Sequence, residues 1–306
     1  MKLPIALLLL SLAAGSLASA QSTSTLANLS SRGLVGPHAG SLVAGFVVQG
    51  AAPKAVLIRG VGPGLGLFGI VNPAAGVNIN LYDSAGALIT TKNGFQDDPD
   101  SEKIAQISAS VGAFPLIAGQ GDSAMLATLP PGGYTIEIVP NESNPADGGA
   151  LLEIYDADAP AAASKIANLS SRGRVGANAG SLIAGFVVTG EAPKSMLIRG
   201  IGPDLAQFGL SDAASDVLLK IYSSNGELIA SNNGFKTAPD AEKVAQDSAG
   251  LGAFPLTNSG NSAVVVTLPP GGYTVEVAAV DPDAADGVAL VEVYDADSLK
   301  PSATAE

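Results

Sequence analysis

The chain has no cysteine, no tryptophan and a single histidine in 306 residues. Without cysteine there is no thiol nucleophile, no iron–sulfur ligation, no cysteine zinc site and no disulfide framework. One histidine is too few for a histidine zinc site. A Ser-His-Asp centre would need His38, whose counterpart in the internal repeat described below is Asn178, so such a centre fits one half of the chain at most. His38 follows Gly36-Pro37 and reads as a solvated loop residue. Cations are scarce as well: 15 Lys and Arg stand against 28 Asp and Glu, a formal net charge of −13. Nucleic acid is excluded as a partner, because its binding rests on neutralising phosphates with Lys and Arg. Anionic membrane surfaces are disfavoured for the same reason.

Long apolar runs are confined to the N-terminus. Lys2, the apolar stretch 3–12 and Ala18-Ser19-Ala20 before Gln21 have the layout of a cleavable secretory leader. The run is shorter than the roughly 20 apolar residues that a membrane-spanning helix needs. The expectation is cleavage after Ala20 and a secreted, extracellular or periplasmic chain, with no membrane insertion after cleavage.

The remaining sequence repeats itself. Asn28-Leu29-Ser30-Ser31-Arg32-Gly33 returns as Asn168-Leu169-Ser170-Ser171-Arg172-Gly173, an offset of 140. The offset holds at Leu57-Ile58-Arg59-Gly60 and Leu197-Ile198-Arg199-Gly200. It has become 139 by Leu129-Pro130-Pro131-Gly132-Gly133-Tyr134-Thr135 and its partner starting at Leu268. A period this long is a domain, not a solenoid unit. The expected organisation is a leader at 1–20, a first module at 21–158, a Pro/Ala-rich linker at 159–164, a second module at 165–297 and a polar tail at 298–306. The short linker places the modules side by side.

Within the first copy, apolar or alternating runs at 42–49, 55–59, 77–82, 87–91, 124–129, 134–139 and 150–155 predict strands. Gly, Pro, Asn and Asp punctuate them. Residues 100–111 predict a helix, since Ile104, Ile107 and Val111 fall at helical spacing after Pro99. In the second copy Asp247 replaces Ile107, which predicts a short, partly exposed helix. The fold class is therefore mainly β: two tandem β-sandwich, jelly-roll-like modules, each with one short surface helix.

Several constellations carry possible chemistry. Gly60-Val61-Gly62-Pro63-Gly64-Leu65-Gly66 superficially matches a dinucleotide loop, but no helix pattern follows, Pro63 lacks a donor, and the second copy puts Asp204 where phosphate would lie. It reads as a turn. Acids shared by both copies are Asp100/Asp240, Glu102/Glu242, Glu137/Glu276, Asp147/Asp286, Glu153/Glu292, Asp156/Asp295 and Asp158/Asp297. A glycosidase needs only two carboxylates at the right separation, yet turn and strand-end roles account for many of these. Gln96-Asp97-Asp98-Pro99-Asp100 and Asp281-Pro282-Asp283-Ala284-Ala285-Asp286-Gly287 cluster oxygen donors that calcium would take. Neither has EF-hand spacing, each is thinned in its sister copy, and both read as solvated acidic loops. No metal ligand and no other cofactor is assigned.

Arg32, Arg59, Arg172 and Arg199 recur in an acidic chain. Each either pairs with a carboxylate of its own copy or faces a groove and holds an anionic glycan or a C-terminal carboxylate; as candidate binding residues these four are the ones to follow. All six Tyr and all eight Phe pair across the copies, and the simplest role for residues kept twice is the core.

The combination of Asn-Leu-Ser-Ser-Arg-Gly, Leu-Ile-Ala-Gly-Phe-Val-Val, Leu-Ile-Arg-Gly-Ile-Gly-Pro, Leu-Pro-Pro-Gly-Gly-Tyr-Thr-Val and Val-Glu-Val-Tyr-Asp resembles an uncharacterised tandem repeat module of secreted bacterial proteins. The resemblance covers nearly the whole chain after the leader, twice, and implies a non-catalytic β building block. Phe95 and Phe235 stand where that module tends to have Trp. The leading expectation is a secreted, non-enzymatic structural protein acting in adhesion or assembly in the cell envelope or extracellular matrix, through self-association or an envelope protein. The alternative is a carbohydrate-binding protein that holds polysaccharide in a groove near Arg32 and Arg59 and their counterparts. The third reading is a carboxylate-pair hydrolase.

Overall fold

A computed structural model describes residues 24–116, 119–141, 146–158 and 163–299. The leader, most of the linker and nearly all of the tail lie outside these residues. The first copy forms β1 (Thr25–Val35), β2 (Leu42–Gly50), β3 (Lys54–Val61), β4 (Val77–Asp83), β5 (Leu88–Asn93), β6 (Ser123–Leu129), β7 (Gly132–Pro140) and β8 (Gly148–Asp156). The second forms β9 (Ser164–Val175), β10 (Leu182–Thr189), β11 (Lys194–Ile201), β12 (Val217–Ser223), β13 (Leu228–Asn232), β14 (Ser262–Leu268), β15 (Gly271–Ala279) and β16 (Gly287–Asp295). One α-helix interrupts each copy, α1 (Ser101–Ser110) and α2 (Ala241–Gly250). The architecture is mainly β, a tandem sandwich, with each helix on a sheet surface.

The strands follow from period-two burial. In β7, Tyr134, Ile136 and Ile138 are buried while Thr135, Glu137 and Val139 are not. Each copy contributes two four-stranded half-sheets, ordered β6-β3-β8-β1 and β5-β4-β7-β2 in the first and β14-β11-β16-β9 and β13-β12-β15-β10 in the second. All these pairings are antiparallel. The copies then join by strand pairing: β1 lies antiparallel to β10, and β2 to β9. Half of one copy thus runs on into the opposite half of the other. Two long sheets result, β6-β3-β8-β1-β10-β15-β12-β13 and β5-β4-β7-β2-β9-β16-β11-β14, touching at a single bridge between Leu26 and Ile166.

The two seams are equivalent. Ser30 faces Gly185 across one, and Ser170 faces Gly45 across the other. Between them, Ser31 and Ser171 point into the sandwich and their hydroxyls meet at 2.6 Å, fully buried. The chain therefore has a pseudo-two-fold axis through this pair. Small residues there let the sheets approach: a Cβ on Gly33 would lie 3.1 Å from Leu42 Cδ1, and one on Gly173 2.9 Å from Leu182 Cδ1. A single apolar core runs through both copies and includes Leu29, Leu42, Phe46, Leu169, Leu182 and Phe186. Phe46 stacks on Tyr134 and Phe186 on Tyr273, with ring centroids 5.5 and 5.4 Å apart.

The strand β1, with its counterpart β9, is a feature that periodicity did not single out. The helices lie where the spacing predicted. Asp247, expected on an exposed face, is instead buried, with Lys243 one turn earlier bonded to it at 2.7 Å. Helix α1 and the loop after it cover the outer face of the β6-β3-β8-β1 half-sheet, where Leu57, Ile104, Ala113, Ala124 and Tyr155 form a second small core. The equivalent cap in the second copy packs Leu197, Phe235, Val244, Ala263 and Ala296. Among the described residues, the other half of each sheet carries no such cap.

Candidate functional site

Each long sheet passes at its seam from a capped half to a half that carries no such cap among the described residues, and at the β1–β10 seam this step creates a groove. At the β1–β10 seam the outward residues Ser30 and Arg32, with Leu151, Ile183, Gly185 and Thr274, form the floor. Leu65, Phe68, Ile70 and Phe114 rise from the cap as a wall, and the groove encloses about 300 Å3. The register lays two rows across the floor. One runs Ser30, Gly185, Thr274, Tyr222; the other runs Arg32, Ile183, Glu276, Lys220. Gly185 keeps the floor flat, since a Cβ there would sit 2.5 Å from Ser30 Oγ. Glu276 is held in place: Ser181 Oγ donates to its Oε1 at 2.8 Å, and the Tyr222 hydroxyl donates to its Oε2 at 3.3 Å.

The wall is aromatic. Phe68 is 59 % exposed. It meets Phe114 edge to face with centroids 4.7 Å apart. Behind Phe114 lies Arg59, with no exposed surface, its Cζ 4.4 Å from the ring centroid. Arg59 Nε is 3.1 Å from Glu153 Oε2, and the Tyr155 hydroxyl donates to Glu153 Oε1 at 2.8 Å. Burial raises the Glu153 pKa above the ordinary carboxylate range, opposed by the Arg59 charge and the Tyr155 hydrogen bond. Burial likewise pushes the Tyr155 phenol far up, with the neighbouring Glu153 charge adding to it.

The second seam repeats this construction with Ser170, Arg172, Val43, Gly45, Thr135, Glu137 and Tyr82 on the floor rows. Glu137 accepts from Ser41 Oγ at 2.7 Å, Tyr82 at 3.2 Å and Asn80 Nδ2 at 3.3 Å. Phe208, 58 % exposed, meets Phe254 at 4.9 Å. Arg199 lies 4.6 Å from the Phe254 ring, pairs with Glu292 at 3.0 Å and donates to the Phe254 carbonyl at 2.9 Å.

The four arginines singled out in the sequence thus separate into two kinds. Arg32 lines a groove, and Arg172 is exposed at the equivalent place. Arg59 and Arg199 lie behind the wall, paired with carboxylates of their own copies, and present no surface to a ligand. The doubled aromatics also divide. Phe46, Phe186, Tyr134 and Tyr273 are core, but Phe68 and Phe208, expected inside, stand at the groove. The signal for them was their place: each is followed by a glycine, in a segment with neither strand nor helix periodicity.

The glycine-rich turn does hold an anion, but an internal one. Asp122 is buried and accepts from the Gly62 and Gly64 amides at 2.9 and 3.2 Å. The residues after Pro63 wind into a 3-10 helix, Pro63–Phe68, that carries Phe68 to the groove. In the second copy Asn261 takes the Gly202 amide, and Asp204 accepts from Thr257 and Asn258 instead. His38 is 88 % exposed, and its Nδ1 lies 3.3 Å from Asp147.

Several of the other shared carboxylates have structural partners. Asp147 and Asp286 accept backbone amides of the turns after β1 and β9. Asp156 and Asp158 surround the buried Lys54 at 2.7 and 3.2 Å, and Asp295 bonds Lys194 and Lys165 at 2.8 and 2.9 Å. Of the acidic-loop residues, Asp98 pairs with Lys92, and Asp281 accepts the Asp283 amide. Among the described residues no three His, Asp or Glu side chains gather to hold a metal ion.

No protein-family model matches the chain, and no curated protein matches it. Among solved structures, the tandem CBM51 modules of a family 98 glycoside hydrolase from Streptococcus pneumoniae align over 86 % of this chain and 83 % of that one. The identity is 8 % and the TM-score 0.21. A likeness at that level transfers no ligand and no residue role, so the groove has to be read from its own chemistry.

Proposed function

We propose that the chain is a secreted, non-catalytic glycan-binding protein whose seams hold an extended, uncharged polysaccharide. The observation that carries this reading is the exposed Phe68, edge to face with the half-buried Phe114, standing over a floor of Ser30, Arg32 and Thr274. A sugar ring has an apolar C–H face and an equatorial rim of hydroxyls. A ring plane beside planar and hydroxyl hydrogen-bonding groups matches both. The groove is open, which suits a chain that enters and leaves. A net charge of −13 disfavours a dense polyanion, because the field of the whole molecule repels it before any local Arg contact forms. Glu137 and Glu276 are fixed by hydrogen bonds and sit at different seams, which suits holding hydroxyls better than shared acid–base work.

The test is retention of the chain from Gln21 onward on cellulose, chitin and other insoluble neutral polysaccharides at low and high salt. The expected result is saturable retention, little changed by salt, that is lost when Phe68→Ala and Phe208→Ala are combined. Absence of retention on every neutral glycan would refute it.

Adhesion or assembly keeps one observation of its own. The terminal strands β5 and β13 expose an apolar pair in each copy: Leu88 and Ile89 at 56 and 47 %, Leu228 and Ile229 at 52 and 38 %. Exposed apolar edges invite strand pairing with another chain. Concentration-dependent oligomers on a sizing column, abolished by Leu88→Lys with Leu228→Lys, would favour that reading.

A further inference from the structure

We infer that this protein is a cross-linker of polysaccharide chains, with its two grooves opening on opposite faces of one rigid body. The inference rests on the glycan-binding reading above and goes beyond it to the number and direction of the sites.

The groove with Arg32, Phe68 and Thr274 lies on the outer face of the sheet containing β1 and β10. The equivalent seam surface, where Arg172 and Phe208 are exposed beside Thr135, lies on the outer face of the sheet containing β2 and β9, and the pseudo-two-fold axis assigns it as the second groove. The outer faces of a sandwich look in opposite directions across a core about 10 Å thick. That core is a continuous cluster of buried apolar side chains, so no glycan passes from one groove to the other through it. Antiparallel pairing fixes the angle: seven residue pairs join β1 to β10, and seven join β2 to β9. This is not a flexible tether.

Tandem binding modules usually raise affinity for one surface, because the second site engages at high effective concentration. That gain requires both sites to reach the same surface. Two grooves facing apart cannot engage one flat surface together, but each can hold a separate chain. The duplication then serves to bridge chains rather than to tighten binding. The pairwise retention of Arg32/Arg172, Phe68/Phe208, Phe114/Phe254 and Glu137/Glu276 follows, since a cross-linker needs both hands.

The experiment uses soluble mixed-linkage β-glucan, xyloglucan and galactomannan, each mixed with the whole chain from Gln21. Binding is followed by calorimetry with their oligosaccharides, and cross-linking by light scattering as the protein-to-polysaccharide ratio is varied. The expected result is two sites per chain and scattering that rises, peaks and falls as excess protein caps every chain singly. Arg32→Glu with Phe68→Ala leaves one site and abolishes the scattering peak; Arg172→Glu with Phe208→Ala does the same. Binding at one site per chain, or binding without a scattering peak, overturns the inference and leaves the glycan reading standing. A peak that survives in either one-groove variant also overturns it and assigns the bridging to the exposed edges of β5 and β13. No binding to any of the three, together with no retention on insoluble glycans, refutes the glycan reading itself.

Discussion

Replacing Arg59 with Met tests how the groove wall is held. The guanidinium is fully buried, 3.1 Å from a carboxylate that is itself only 7 % exposed. Removing it leaves the buried Glu153 carboxylate without its counter-ion. Breaking one side of a buried pair costs about 3–5 kcal/mol, and losing the cation over Phe114 adds roughly 0.5–2 kcal/mol. The penalty depends on pH, and its sign is fixed. Glu153 already has its pKa raised, and without Arg59 the opposing charge is gone, so the pKa rises further. An acid whose folded pKa exceeds its unfolded value destabilises the fold increasingly as pH climbs from the ordinary carboxylate range to the folded pKa. Arg59→Met should therefore be much less stable than the parent at pH 8 and closer to it at pH 5. Adding Glu153→Gln removes the stranded charge and keeps an acceptor for the Tyr155 hydroxyl. This double variant should recover most of the loss, to within about 1.5 kcal/mol of the parent, as uncharged replacements of buried pairs commonly do. Urea midpoints at pH 5 and pH 8 for the parent, both singles and the double give the coupling directly. A single variant that loses under about 1 kcal/mol at pH 8, or a double whose loss is the sum of the singles, would refute the reasoning.

The two copies solve one problem in opposite ways, and each can be converted. Gly64→Asp alone would bring a Cβ to 2.7 Å from Asp122 Oδ2 and put two carboxylates in one buried site, which should cost about 3 kcal/mol or more. With Asp122→Asn added, one of the two facing carboxylates becomes an amide, as Asn261 is beside Asp204 in the second copy, and thermal melts should show recovery of about 1–3 kcal/mol by coupling; strict additivity would refute it. Asp295 governs the acid limb. Burial pushes its pKa up, but hydrogen bonds from Lys194 and Lys165 outweigh burial, and the net shift is downward. A lowered carboxylate contributes stability above the ordinary carboxylate range and loses it as pH falls through the folded pKa. Asp295→Asn should cost about 3 kcal/mol at pH 7 and progressively less below about pH 4; a pH-independent difference in denaturation midpoint would count against this.

What could be read from the sequence, and what could not, divides along physical lines. Six of the seven expected strands of a copy announced themselves because their buried positions are apolar, as with Tyr134, Ile136 and Ile138, while β5 was legible from Leu88 and Ile89 although both are exposed. Helix α1 announced itself through Ile104 and Ile107. Strand β1 did not, although Thr25–Val35 is the longest strand of its copy. Its inward positions around the axis are Leu29, Ser31, Gly33 and Val35, and the central two are small because the second copy's Ser171 meets Ser31 and Leu42, with Leu182 beside it, presses against Gly33. A strand made polar and small by a neighbour 140 residues away shows no local alternation. The motif was visible as a repeat, Asn-Leu-Ser-Ser-Arg-Gly, while its reason was tertiary.

The same omission explains why the site was only half legible. Arg32 could be named as a binding candidate, but not as facing away from Ser31 into a groove, because that alternation belongs to the unseen strand. Once β1 is placed, the rest is forced. Ser31 and Gly33 turn inward to close the sandwich at the axis, so Ser30 and Arg32 must turn outward at the seam. The seam is where a capped half-sheet meets an uncapped one. The cap's own edge is the 3-10 turn that follows Gly62-Pro63, so Phe68 has open floor beside it and no neighbour to bury it. Arg59, one strand further under the cap, reaches the same ring from behind and is buried for that reason. Retention in both copies therefore does not separate core from site in this chain. The pseudo-two-fold axis duplicates both together, and only the direction a side chain takes from β1 or β9 tells them apart.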